Sequence, residues 1–348
     1  MSDQRPVVVI VGGGFAGVGC ARELAKHDVP VTLIDRNNYH QFQPLLYQVA
    51  TGELGTPDVA RPLRAIFKKS PTVQFHRAEA SEVDPAMRTV TTADGRTFTG
   101  DYLVLAAGSQ PNFFRTPGAR EHAFPLYTVA HATALRRRLL EILEDVDADP
   151  RLVEQGALNF VIVGAGPTGV ETAGALADAV NRVIPKRHHD LDINRARIYL
   201  VDHGSVVLAP FSDKAHTYAA DKLQHAGVRL KLGTGVTEIA PGKVKLSDGT
   251  EIPTRAAVWA GGIQAPELVG KLGLEQGRGG RVRAQSDLTV EGLPRVYAVG
   301  DMANVPDHDG NDFPQLGSVA LQAGRWAARN ILADIDSKPC LLYTSPSP

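Results

Sequence analysis

The chain has 348 residues, 43% of them apolar and 22% charged, with a formal net charge of −1. That length supports two domains with cores of their own, and the balanced charge removes the electrostatic case for a nucleic-acid partner. No run of 18 apolar residues predicts a membrane-spanning helix, and Cys20 and Cys340 form neither a CxxC pair nor a metal-ligand set, so no metal site is expected.

Residues 6–11 read as a buried parallel strand, 15–27 as a helix and 30–35 as a second strand ending in Asp35, a βαβ unit. The strand opens almost at the N-terminus, which leaves no room for a signal peptide. Residues 38–70 are mixed. Val73 to Asp101 alternates apolar and polar residues around an Asp94-Gly95 turn, which predicts a β-meander. It leads into a strand, Tyr102 to Leu105, that ends in the small residues Ala106, Ala107 and Gly108. The stretch Leu135–Leu143 is helical in period. Then the order repeats: an apolar strand Phe160–Val163, a glycine turn, a helix over about 167–183, and a strand Arg197–Asp202. A second meander over Val236–Ile252 follows, turning at Asp248-Gly249, and leads to Ala256–Gly262. Arg182 to Arg195 reads as a charged insertion at the end of the second helix. A last strand, Arg295–Val299, ends in Gly300-Asp301, with a helix expected after it.

The shared order predicts an α/β chain of two Rossmann-like dinucleotide-binding domains, the second inserted in the first, each with a β-meander. The expected boundaries are 1–120 with 281–338 for the first domain and 155–265 for the second.

The glycine turns carry the chemistry. In Gly12-Gly13-Gly14-Phe15-Ala16-Gly17, Gly12 allows the tight bend, Gly14 lets backbone approach a pyrophosphate, and Gly17 lets helix pack on strand. The helix N-terminus adds unpaired N–H groups and partial positive charge. Asp35 can accept hydrogen bonds from both ribose hydroxyls. Gly164, Gly166, Gly169 and Asp202 repeat these roles. A carboxylate at 202 repels a 2′-phosphate and predicts NADH over NADPH, with mixed specificity open because His203 follows. Glu171 can stabilise the helix terminus, or it can bind the nicotinamide amide or handle a proton near the junction of nicotinamide and flavin. Asp301 can cap the next helix or hold a flavin ribityl hydroxyl. Two dinucleotides brought face to face suit hydride transfer between them.

At this point the residues resemble the two-dinucleotide flavoprotein reductases and, within them, the type II NADH:quinone oxidoreductases, which are single-subunit and do not pump protons. The resemblance runs from about residue 5 to 335. Its most specific stretch is Tyr39-His40-Gln41-Phe42-Gln43-Pro44-Leu45-Leu46-Tyr47-Gln48-Val49-Ala50-Thr51-Gly52; Gly118–Leu126, Gly164–Glu171, Trp259–Gly262, Val299–Ala303 and Phe313–Gly324 also match. Dithiol members of the superfamily need a Cys-x4-Cys, and sulfide:quinone reductases need further redox cysteines; this sequence has neither, and Cys20 reads as a core residue.

The resemblance implies FAD and NADH as cofactors, and ubiquinone or menaquinone as electron acceptor. It implies a FAD contact at Gly300-Asp301, and a flavin and quinone surface along Ala320 to Gly324. Gly317-Ser318 stand where many members carry Ala-Gln, which moves the quinone role to Gln322. Glu171, Gln322 and Gln48 are therefore the candidate catalytic residues, with packing beside the cofactor as the alternative for both glutamines. Phe15, Ala16, Arg36, Ala107, Gly108, Gly261 and Ala320 complete the expected cofactor lining. The implied full-length protein sits on the cytoplasmic face of the inner or plasma membrane through a C-terminal segment, the present chain is cytoplasmic, and a homodimer is open. Two other functions are compatible with the residues: a reductase of a small rubredoxin- or ferredoxin-type protein, and a non-enzymatic flavin- or NADH-sensing protein. Residues 339–348 resemble the in-frame translation of a transposase-type sequencing adapter, so the natural protein is expected to be interrupted near Lys338; a native Pro/Ser-rich linker is the alternative.

Overall fold

The computed structural model describes residues 5–189 and 191–343. In chain order the elements that build the site are β1 (Val8–Val11), α1 (Phe15–Ala25), β2 (Val31–Asp35), the short helix α2 (Leu46–Thr51), β3 (Val73–Arg77) and β4 (Tyr102–Leu105). Next come α3 (Val129–Ala148), β5 (Asn159–Val163), α4 (Pro167–Asp178), β6 (Arg197–Asp202), α5 (Asp213–His225), β7 (Val228–Leu232) and β8 (Ala256–Trp259). The chain closes with β9 (Leu293–Ala298) and the long helix α6 (Gly317–Ile335).

The chain folds as two units. The first takes the residues up to Gln41, Ala60–Gln110 and those from Ile263; the second takes Phe42–Val59 and Pro111–Gly262. In the first, β9, β4, β1, β2 and β3 form a parallel sheet in that order, with Thr289–Val290 antiparallel on one edge. Both β1 and β4 are buried along their whole length. This is why they read as unbroken apolar runs rather than alternating ones. Helices α1 and α6 pack on each other at backbone distance. A Cβ at Gly324 would lie 2.0 Å from the Ala16 carbonyl oxygen, and one at Gly19 would lie 2.8 Å from that of Leu321.

The second unit repeats the pattern. Its parallel sheet runs Ala123–Pro125, β8, β5, β6, β7. The order β8-β5-β6-β7 matches β4-β1-β2-β3 of the first unit, so one module is used twice. Each unit also carries a three-stranded antiparallel meander, Ala80–Thr99 in the first and Val236–Pro253 in the second.

The boundaries differ from the sequence expectation in three places, one being that the first unit resumes at Ile263 rather than at 281. Residues Phe42–Val59 side with the second unit, because α2 packs on α3 and α4. The stretch after residue 110 also belongs there, since Ala123–Pro125 pairs with β8 and α3 lies beside both. The predicted helix at 135–143 is the middle of the 20-residue α3. After α4 the chain runs through a π-helical turn (Ala179–Val183) and short 3-10 turns (Ile184–Lys186, Ile193–Arg195), a local excursion before β6. At the C-terminal end, Asn330 exchanges hydrogen bonds with the backbone of Leu341, and Tyr343 is buried against Phe313 and Trp326. The rest of the expected tail lies outside the described residues.

Candidate active site

The first cradle sits where β1 turns into α1. Gly12 has φ +110°, and a Cβ there would meet the Ala106 carbonyl oxygen at 2.2 Å. At Gly17 a Cβ would lie 1.8 Å from the Gly12 oxygen. Gly14 differs: it caps α1 at φ −76°, exposed, with nothing within 4 Å of an added Cβ. Backbone and packing do not demand glycine at 14, so the open space is free for a ligand. Asp35, at the end of β2, closes the turn. One carboxylate oxygen accepts the Gly13 N–H at 2.6 Å and the other accepts that of Asn37 at 2.7 Å. Burial pushes the Asp35 pKa up, opposed by those two N–H groups and by the charges of Arg36 and His40. His40 places Nδ1 3.1 Å from the Gly13 carbonyl, its ring edge-on to Phe15.

A second loop of the same unit completes this cradle. Gly300 has φ +71°, and a Cβ there would sit 3.1 Å from the Ala16 Cβ and 3.5 Å from the Ala320 Cβ. The turn is therefore wedged between the first turns of α1 and α6. Asp301 accepts a hydrogen bond from the Ser109 hydroxyl at 3.1 Å, and its carbonyl accepts one from the Gln315 amide at 2.8 Å. Burial raises the Asp301 pKa, while Ser109 and Arg281 act to lower it. The Ala107 N–H points at the Met302 sulfur, 3.0 Å away, and Gly108 adopts φ +71°. Phe15, Ala16, Ala107, Gly108, Gly300, Asp301 and Ala320 thus gather around the glycine turn, whereas Arg36 is exposed.

The helix expected directly after Asp301 is not there. A 3-10 turn (Gly300–Met302) and a two-residue strand follow, and α6 begins only at Gly317, with Leu316 as its N-cap. Asp301 is therefore no helix cap, and its carboxylate keeps acceptor capacity beyond Ser109.

The second cradle repeats the glycine turn of the first and the two backbone bonds to its carboxylate. Gly164 has φ +104°, with an added Cβ 2.4 Å from the Ala260 oxygen; at Gly169 it would lie 1.8 Å from the Gly164 oxygen; at Gly166 it meets nothing within 4 Å. Asp202 accepts the Ala165 N–H at 2.6 Å and the Gly204 N–H at 2.6 Å. His203 lies beside Asp202 with its side chain out in solvent. A Cβ at Gly261 would lie 3.1 Å from the Trp259 ring, whose indole N–H donates to the Asn112 carbonyl at 2.8 Å.

Glu171 is the fifth residue of α4, one turn deeper than its predicted place in the first turn. Its side chain is exposed, yet partial burial of the carboxylate raises its pKa. Tyr47 of α2 lies within its field: burial first, then the Glu171 charge, pushes the Tyr47 phenol up. Gln48 follows on the same short helix and donates to Glu53 at 3.1 Å. Gln322 is the half-buried sixth residue of α6, in the first unit. Cys20 is fully buried in α1, which pushes its thiol pKa up and removes it from redox chemistry.

Sequence reasoning missed Ser109, His40, Gln315 and Tyr47 as site residues. Ser109 directly follows the small-residue run at the end of β4, and His40 and Tyr47 lie in the most specific stretch; their positions carried the signal. Gln315 lies in the matching stretch Phe313–Gly324.

Each cradle fits one dinucleotide. Each has an open, side-chain-free spot at the N-terminus of a helix of eleven or twelve residues, where unpaired N–H groups and the helix dipole favour a pyrophosphate. A carboxylate at the end of the following strand suits an adenosine ribose. A protein with two such modules belongs to the class that works on two dinucleotides at once.

A family model for pyridine nucleotide-disulphide oxidoreductases matches residues 6–324. Over 345 residues the chain is 35% identical to the type II NADH:quinone oxidoreductase Ndh of Mycobacterium tuberculosis, covering 95% of this chain and 73% of that one. It is 29% identical over 345 residues to the type II NADH:quinone oxidoreductase of Staphylococcus aureus, covering 95% and 83%. The fold is similar to that of NDH2 from Plasmodium falciparum solved in complex with NADH, with a TM-score of 0.88 at 18% identity over 94% of this chain and 83% of that one. The chain belongs to the pyridine nucleotide-disulphide oxidoreductases and, within them, to the type II NADH:quinone oxidoreductases.

Proposed function

We propose that the first cradle holds FAD, the second holds NADH, and Glu171, Gln48 and Gln322 serve the nicotinamide and quinone ends of the reaction. The activity is that of the family: NADH is oxidised through FAD, and a quinone is reduced by two electrons without proton translocation. When bound, FAD supplies the hydride acceptor and the two-electron link to quinone. No helix among the described residues is long and apolar enough to cross a membrane.

The chain's own residues supply binding and orientation. Gly14 and Gly166 leave room for pyrophosphates, the helix N-termini attract them, and Asp35 and Asp202 fix the adenosine ends. Ser109 orients the Asp301 carboxylate by donating to it, leaving its other lone pairs for a ribityl hydroxyl. Glu171, with its pKa raised, is poised to bind an amide N–H as a carboxylate or to hold a proton when protonated. Ubiquinone and menaquinone are lipid-soluble, so the enzyme meets its acceptor at the cytoplasmic face of the inner or plasma membrane.

The twofold repetition of glycine turn, helix terminus and strand-end carboxylate carries this reading. Stopped-flow absorbance tests it. Purified protein is expected to be yellow, to bleach on adding NADH, and to recover its colour with a short-chain quinone. Bleaching without recovery by quinone would move the acceptor to a redox protein. A colourless protein after FAD reconstitution would sink the assignment of the first cradle.

A further inference from the structure

We propose that Arg281 is a fixed cation that sets the reduction potential of the flavin, an inference that rests on the assignment of FAD to the first cradle. Arg281 is 6% exposed. Its guanidinium is spread over three partners: Nε donates to the Arg278 carbonyl at 3.0 Å, Nη1 to the Ala303 carbonyl at 3.2 Å, and Nη2 to the Asp312 carboxylate at 3.3 Å. The Asp312 side chain is 35% exposed and is shared with the Asn304 amide. A buried, permanently charged group thus has one hydrogen-bonded, partly hydrated counter-charge in Asp312, with the Asp301 carboxylate also within its field.

The position gives this charge its consequence. Within the first unit, one small cavity is lined by Arg281 together with Gly300, Asp301, Gln315 and Ala320. Three of these, Gly300, Asp301 and Ala320, are the residues assigned to the flavin. Pairing of Val282 with Ala303 and of Arg283 with Asn304 fixes the arginine's segment to the loop that carries Asp301. Arg281 is also one of the two groups acting to lower the Asp301 pKa.

The charge balance of the reaction says what such a cation does. A hydride carries two electrons and one proton. Its transfer from NADH releases NAD⁺ and leaves the flavin with one more negative charge than before. A buried cation stabilises that charge with little screening from salt. Arg281 therefore favours reduced over oxidised flavin, and Asp312 offsets part of the effect. Removing the two groups should move the potential in opposite directions. A role confined to folding would not give that pattern.

The test is the two-electron midpoint potential of FAD-loaded protein, measured spectrophotometrically against a reference dye, with FAD content and thermal midpoint recorded alongside. Arg281→Gln is expected to shift the reduction equilibrium about tenfold toward oxidised flavin, roughly 30 mV downward for a two-electron couple. Arg281→Lys should stay within twofold of wild type, and Asp312→Asn should move upward. If Arg281→Gln does not retain FAD, Asp312→Asn decides: an upward shift supports the inference, and an unchanged or lower potential overturns it. Bound FAD with equal potentials in all variants overturns the role of Arg281 alone. Wild type that holds no FAD removes the cradle assignment and this inference with it.

Discussion

Gly166 and Gly169 stand three residues apart in the second cradle, and the structure gives them opposite reasons to be glycine. At Gly169 an added methyl would lie 1.8 Å from the Gly164 carbonyl oxygen and 3.0 Å from its carbon. Both atoms are main chain, so no rotamer relieves the overlap; the turn or the helix must move. Overpacking commonly costs about 1–3 kcal/mol, and a clash this deep against backbone belongs at or above the top of that range. About 3 kcal/mol corresponds to a fall in Tm of at least about 6 °C for a unit of this size. Gly166 has φ −72°, a conformation open to any residue, and empty space around it. Losing glycine at an N-cap costs up to about 1 kcal/mol, and the stiffer unfolded chain returns about 0.4–1 kcal/mol. Stability should therefore hold within about 1 kcal/mol. The methyl fills the space assigned to the pyrophosphate, so NADH half-saturation should rise at least about tenfold, or 1.4 kcal/mol. Gly166→Ala should keep its FAD and its Tm while losing NADH affinity, and Gly169→Ala should lose Tm and soluble yield first. Differential scanning fluorimetry paired with NADH titration of flavin bleaching reads both. Equal Tm losses in the two variants, or unchanged NADH half-saturation in Gly166→Ala, would refute the division of roles.

The other predictions follow from single groups. Asp202→Ser combined with His203→Arg should raise NADPH use at the expense of NADH, since a repelling carboxylate gives way to a cation beside the ribose; an unchanged ratio of kcat/KM for the two nucleotides counts against the role of Asp202. Glu171 has a raised folded-state pKa. Its stabilising contribution is thus complete below the unfolded pKa near 4.5 and is lost as pH rises through the folded pKa. Glu171→Gln should therefore be more stable than wild type at pH 7 and equal to it below about pH 4; urea unfolding at the two pH values checks the sign. Tyr102 donates to Asp334 at 2.5 Å, a bond shared with Arg295 and tying β4 to α6. Tyr102→Phe should cost about 1.5–3 kcal/mol, the range for a hydrogen bond to a charged group, with NADH half-saturation unchanged; a loss below about 0.5 kcal/mol in chemical denaturation would show the bond is incidental.

What could be read from the sequence is what short-range sterics impose. Gly12, Gly17, Gly164 and Gly169 face main-chain atoms in their own strand–turn–helix units or in the adjoining strand ends, so their spacing announces the turn. Val8–Val11 of β1 and Phe160–Val163 of β5 are apolar throughout because both faces are covered. The middle of α3 was legible, while its ends were not, because small and polar residues before Leu135 and acidic residues after Leu143 dilute the apolar stripe. The allegiance of Phe42–Val59 was not legible: Leu46, Val49 and Ala50 look the same whichever unit buries them. The distance from Asp301 to α6 was misread, although Pro306, Gly310 and Pro314 in the intervening stretch carry loop chemistry. Bonds such as Ser109 to Asp301, 192 residues apart, leave no periodic trace.

The discontinuity of the first unit has a consequence for biosynthesis. When the ribosome has added Gly262, every strand of the second sheet exists, but the first sheet still lacks β9 and the first cradle lacks both Gly300 and the start of α6. At about 5–20 residues per second, the remaining stretch to Gly324 takes roughly 3–12 s. Through that interval the second unit is complete in sequence and the first is not. Chains truncated shortly after residue 262 and released from the ribosome should accordingly capture NADH and remain without FAD, if the cradles are assigned as proposed.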